Sequence, residues 1–163
     1  GKLFGFSRLY IPEEPEEQNG DVPVQQANYP LIKLEKAGSG PSVKRPVEAD
    51  NPPPATQLPE REDTVTVIVP ARKGIEFKIN VLKYGTVKYE WSSESTVYFD
   101  FHGEVKQAQE TKDVFFESYT IAYSNNMVGT FLSPFEGRHG WYFRNLTDKD
   151  VKVNVRLKGQ YSL

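Results

Sequence analysis

Two histidines, His102 and His139, are the residues of this chain whose chemistry could matter most. Each lies close to carboxylates or aromatics in a segment of alternating polarity. In Phe99-Asp100-Phe101-His102-Gly103-Glu104, His102 shares its parity with Asp100 and Glu104 and opposes Phe99 and Phe101. His139 has the parity of Trp141 and Phe143 and stands where a strand begins. If the two strands are neighbours, His102, Glu104 and His139 could converge. Two imidazoles and a carboxylate form an acceptable Zn(II) or Cu(II) ligand set. The spacing is not a local His-x-x-x-His motif. Scattered histidines more often cap a turn or bond a hydroxyl or carbonyl, so the primary expectation is no metal and no cofactor, with Zn or Cu on these three residues as the alternative.

Other chemistries find less support. Glu90, Asp100 and Glu104 could supply a glycosidase carboxylate pair, but carboxylates on the wet face of a strand are ordinarily just solvated. No Gly-x-Ser-x-Gly elbow is present, and no glycine-rich phosphate loop. With no cysteine, the chain has no thiol nucleophile, thiolate metal site or disulfide framework. The expectation is a protein that is not an enzyme. Tyr89, Trp91, Tyr98, Trp141 and Tyr142 could form a ligand platform, but a small sandwich also needs such rings between its sheets. Tyr98 and Tyr142 differ from the rest, because their parity points them outward.

The elements that must position these residues are strands. The C-terminal thirty residues set the pattern. Trp141 and Phe143 alternate with Tyr142 and Arg144, and Val151, Val153, Val155 and Leu157 alternate with Lys152, Asn154, Arg156 and Lys158. A period of two means one buried and one wet face. Similar runs cover Thr64–Val69, Ile75–Val81, Val87–Trp91, Val97–His102, Val114–Tyr123 and Met127–Leu132. Turn signals separate them at Pro70–Gly74, Ser92–Ser95 and Ser124–Asn126, and Gly103–Asp113 reads as a loop. About eight strands at roughly ten-residue spacing predict an all-β antiparallel sandwich of jelly-roll type. The last two are expected to be adjacent strands joined by the Asn145–Lys149 turn.

Composition divides the chain at residue 62. Ten of the twelve prolines lie in residues 1–62, with only four of the twenty-one aromatics. Such a segment cannot bury enough surface to offset its entropy. Residues 1–62 are expected to be a disordered or extended linker, and residues 63–163 the β-sandwich domain. Pro52-Pro53-Pro54 favours polyproline II. Tyr29–Leu34 is an isolated apolar cluster within the linker. Leu3, Phe4, Phe6, Leu9 and Tyr10 form a second, readable as a stub beside a membrane helix missing from this stretch. No run of about eighteen apolar residues occurs in the chain. Charge is balanced: residues 63–163 carry thirteen Lys and Arg against twelve Asp and Glu. No basic stripe argues for nucleic acid.

Three motifs in order carry a resemblance: Tyr89-Glu90-Trp91, Phe99-Asp100-Phe101-His102-Gly103-Glu104, and His139-Gly140-Trp141-Tyr142-Phe143-Arg144-Asn145. The last, with its following Val-x-Val-x-Val strand, resembles the closing hairpin of GOLD-type sandwiches, the luminal domains of eukaryotic secretory cargo adaptors. Over residues 63–162 the chain is more closely similar to a bacterial family called transmembrane anchor proteins. That resemblance implies an N-terminal membrane helix, a variable linker and a sandwich facing the periplasm from the inner membrane. The chain departs from it in lacking the helix and in its longer proline-rich linker. The family's activity is undefined, so the resemblance implies place and fold rather than chemistry. The expected role is an interaction or assembly module for an envelope protein partner. Its surface would be the outward residues of the motif strands: Tyr98, Asp100, His102, Glu104, Tyr142 and Arg144.

Overall fold

The computed structural model describes residues 43–112 and 114–163. The expectations for residues 1–42 lie outside these. The described residues are all-β, as the alternation predicts, with a single turn of 3-10 helix at Val47–Asp50. Six antiparallel strands follow: β1 (Glu60–Val69), β2 (Gly74–Val81), β3 (Thr86–Val105), β4 (Phe116–Leu132), β5 (Gly137–Asn145) and β6 (Val151–Gln160). The boundary expected at residue 62 therefore falls inside β1.

The eight expected segments are present, but four of them fuse into two long strands. Val87–Trp91 and Val97–His102 are the two halves of β3, and the two segments either side of Ser124–Asn126 are the halves of β4. The serine-rich and asparagine-rich stretches between them are bends, not turns. The β3–β4 register shifts between Ser92 and Val97, and the ladder continues on both sides. Ser93 Oγ donates to the Ser95 carbonyl (2.6 Å) and Ser124 Oγ to the Asn126 carbonyl (2.7 Å), holding the kink locally. A bulge bends a strand and increases its twist without ending the pairing.

That bend makes the sandwich. The first half of β3 pairs with β6, which pairs with β1. The second half pairs with β5, which pairs with β2. β4 runs along the other edge of β3 throughout. Each arm thus has four strand segments, and the arms fold face to face. β5 and β6 are not paired with each other, contrary to the expected closing hairpin. The antiparallel ribbon β1:β6 instead continues across the corner as the ribbon β2:β5, through residues 70–73 and 146–150. The two corner turns lock together: Arg72 N–H donates to the Thr147 carbonyl (3.1 Å) and Asn145 N–H to the Lys73 carbonyl (2.9 Å). Arg72 sits at φ 62° to make its turn.

The inner faces interdigitate. Val67, Val69, Val153, Val155 and Leu157 come from one arm, Ile79, Phe99, Phe101 and Phe143 from the other, and all are buried. Trp91 crosses the gap, edge-on to Phe99 (5.2 Å) and Phe143 (5.0 Å). Burial of such a side chain contributes about 1.5–3 kcal/mol, which is what alternation over these strands supplies. A smaller cluster of Ala49, Val105, Phe115 and Phe135 closes one end. Residues 43–59, read from the sequence as the end of the linker, contribute to it: Ala49 is 1% exposed, and Lys83 Nζ donates to the Asn51 carbonyl (2.8 Å).

Candidate functional site

Strand pairing alone determines which candidates meet. Across β3 and β5 the partners are Tyr98 with Arg144, Asp100 with Tyr142, His102 with Gly140 and Glu104 with Arg138. Directly opposed residues of an antiparallel pair project to the same side. Tyr98, Asp100, His102, Glu104, Tyr142 and Arg144 therefore share one outer face. The inner face of the same strands holds Phe99, Phe101, Trp141 and Phe143.

One end of this face is aromatic. Tyr98 lies edge-on between Tyr123 (5.5 Å) and Tyr142 (6.4 Å). The Tyr142 ring lies over Gly74, where even a methyl group would collide with its hydroxyl. Arg144, opposite Tyr98, is exposed. Tyr123 was not among the sequence candidates. Its parity on β4 could be read, but not its register against Tyr98.

The other end is charged and covered. Lys78 projects from β2, its side chain only 3% exposed. Its ammonium contacts the Glu104 carboxylate and lies 3.2 Å from Glu76. His102 is 5% exposed, so it shares the parity of the outer face without being open to solvent. Phe116 packs edge-on against its ring (5.4 Å). Its Nδ1–H donates to the Asp100 carbonyl (2.9 Å), and Nε2 lies 3.4 Å from Glu76. Asp100 also accepts from Ser118 Oγ (2.9 Å). Burial lowers the His102 pKa, but the bonds to the Asp100 side chain and carbonyl outweigh it, and the net shift is upward. Glu76 and Lys78 were legible as wet-face residues of β2. Their arrival beside His102 depends on β5 lying between the two strands.

His139 does not join this group. It pairs with Gly103, whose parity is that of Phe99 and Phe101, so it points into the core. Its surroundings are a closed network. Nε2–H donates to the Phe135 carbonyl (3.0 Å), with Ser133 Oγ at 3.1 Å. Nδ1 accepts from the Tyr119 hydroxyl (3.0 Å). Burial, the largest influence, pushes its pKa down to about 4. The ligand set His102, Glu104 and His139 is thus split between opposite faces of the sheet. Among the described residues, no group of three or more His, Asp or Glu side chains is placed to hold a metal ion. Ser133 and His139 resemble a nucleophile and its base in distance alone. Ser133 is fully buried and its hydroxyl is committed to the Phe135 carbonyl (2.7 Å), so no substrate can reach it.

The carboxylates do not form a catalytic pair either. Glu90 lies on the other arm, against Arg156 (3.4 Å), away from Asp100 and Glu104. Beside Glu104 an open cleft of about 480 Å³ runs between Asn80, Lys106, Glu136, Arg138 and Ser162. Its charges are mixed, and Lys106 and Glu136 approach to 3.5 Å.

No helix among the described residues is long and apolar enough to cross a membrane. No family model matches the chain, and no curated protein matches it. Among solved structures, it is similar to a de novo designed double-stranded β-helix determined by solution NMR, at 19% identity and a TM-score of 0.35, over 60% of this chain and 97% of that one.

Proposed function

We propose that this domain is a non-enzymatic interaction module that captures an envelope protein through the tyrosine end of its outer face. The observation that carries the reading is that Tyr98, Tyr142 and Arg144, chosen from parity, lie together with Tyr123 on one side of β3, β4 and β5. Tyrosine and arginine are the residue types most enriched where protein interfaces concentrate their binding energy. Their rings bring large contact area at little rotamer cost. The buried end, with His102, Glu104 and Lys78, would hold the strands in place rather than meet the partner. The place proposed is the periplasmic side of a bacterial inner membrane, reached through a membrane helix and a linker that both precede residue 43. Such a tether raises the local concentration of the domain near membrane partners. The support for that place is the order and spacing of the three motifs along β3 and β5.

The test is capture of envelope proteins by the wild-type domain and by Tyr142→Ala and Arg144→Ala. Both variants are expected to keep the dispersed amide NMR spectrum of the fold and to lose the captured partner. Retention of the same partner by both would refute the assigned surface.

A further inference from the structure

Lys78 carries an amine in a setting that a lysine seldom occupies. Its side chain is 3% exposed, and its Nζ touches carboxylates of two different strands, Glu104 of β3 and Glu76 of β2. β2 and β3 are not neighbours, because β5 runs between them. The residue of β5 between Lys78 and His102 is Gly140, which has no side chain to block the crossing. A Cβ there would stand 2.0 Å from the Phe77 carbonyl, so the position is held to glycine. Lys78 therefore lies flat across β5 with its nitrogen against the carboxyl group of Glu104.

We propose that Lys78 and Glu104 condense into a side-chain amide, a covalent staple joining β2 to β3, with Glu76 as the proton carrier. The Lys78 ammonium gives one proton to the Glu104 carboxylate it touches, which frees the nitrogen lone pair. Nζ attacks Cδ of that carboxyl, and the C–N bond forms. Glu76 Oε1, 3.2 Å from Nζ, takes a second proton from the nitrogen and passes it to the hydroxyl of the tetrahedral centre, which leaves as water as the C–O bond breaks. One amide and one water result, with no oxidant or reductant. When His102 is protonated, its Nε2, 3.4 Å from the other oxygen of Glu76, pairs with that carboxylate. Two effects favour the step. Reactants fixed in contact react with effective concentrations of about 10⁵ M or more. The Lys78 ammonium, 3% exposed, carries a desolvation cost that a neutral amide does not. The chain has no cysteine, so a disulfide cannot do this work.

The experiment is the intact mass of the purified full chain after incubation at neutral pH, followed by proteolysis. The expected mass is lower than the sequence mass by one water, with a branched peptide joining Lys78 to Glu104. Lys78→Met should restore the full mass. Glu104→Gln should lose one ammonia instead of one water, because the same amide forms with a different leaving group. Glu76→Gln should keep the fold by amide NMR and remain at the full mass. A wild-type chain at its full sequence mass, or a water loss mapped to any other residue, overturns the proposal.

Discussion

The Tyr119 hydroxyl donates to Nδ1 of His139 across 3.0 Å, and together with the Phe135 carbonyl at Nε2 this bond holds the imidazole in one tautomer. Nε2 faces the Phe135 carbonyl, which can only accept, so the ring proton sits on Nε2 and Nδ1 is the acceptor. A second proton would have to displace the tyrosine bond inside the core.

Stability should therefore fall with acid through a window set by this residue. The pKa is about 6.5 unfolded and about 4 folded, lowered chiefly by burial. Between those values the unfolded chain binds more protons, so stability rises with pH and is lost as pH falls from 6.5 to 4. The loss between pH 7 and pH 4.5 is on the order of 2–3 kcal/mol from this group. Urea unfolding at both pH values measures it. His139→Gln should be less stable at pH 7 and lose less on acidification. An equal loss in both proteins would show that other groups set the acid limb.

Gly103 is the space in which that network fits. A Cβ at this position would stand 2.3 Å from His139 Nδ1 and 2.3 Å from the Tyr119 hydroxyl. Gly103→Ala must push one of the two away, which both overpacks the core and leaves Nδ1 without its donor. The expected cost is about 1–3 kcal/mol from overpacking alone, read as a lower urea midpoint at an unchanged slope. A stability equal to wild type would mean that the ring and the tyrosine are not held as described.

The face of each strand was legible in the sequence, and the partners were not. Parity placed Tyr98, Asp100, Glu104, Tyr142 and Arg144 outward and put His139 with Trp141 and Phe143, because a period of two survives any change of neighbour. It also carried the information that divides the two histidines, since His102 opposes Phe101 and His139 sides with Trp141. Registry decides the rest, and registry depends on the whole sheet. Ser92–Ser95 reads as a turn by composition, yet β4 and β6 pair on either side of its start and carry β3 through. β5 and β6 are adjacent in sequence and joined by a short turn, which favours a hairpin locally. The corner, tied by Arg72 and Asn145, instead sends them into opposite arms. Lys78 became part of the site only because β5 carries glycine at residue 140.

Asn145 ties that corner with every group it has. Its Nδ2 donates to the Val69 carbonyl (3.0 Å) and the Lys149 carbonyl (2.7 Å), while Oδ1 accepts from the N–H and Oγ1 of Thr147, both at 2.8 Å. The residue is 1% exposed. Asn145→Asp keeps the shape and the Thr147 bonds but turns an oxygen toward two carbonyls. Two lost donors in a buried site cost at least about 2 kcal/mol. The melting temperature at pH 7 should fall accordingly, while Thr147→Val, which keeps the backbone bond, should cost less. Equal losses would contradict the assigned orientation of the amide.

His102 should titrate in the opposite sense to His139. Burial lowers its pKa, yet the Asp100 carboxylate and carbonyl raise it by more, so its folded value lies above 6.5. The stability it contributes is complete below the unfolded value and is lost as pH rises through the folded one. The groups facing the ring come from two strands, Asp100 from β3 itself and Glu76 and Lys78 from β2. An NMR titration of the imidazole resonances should resolve two histidines, one above the ordinary value and one far below it. Asp100→Asn removes the carboxylate and leaves the carbonyl, so the upper midpoint should fall while the lower one stays. A His102 midpoint at or below 6.5 in the wild type would mean that burial, not Asp100, governs the protonation of this histidine.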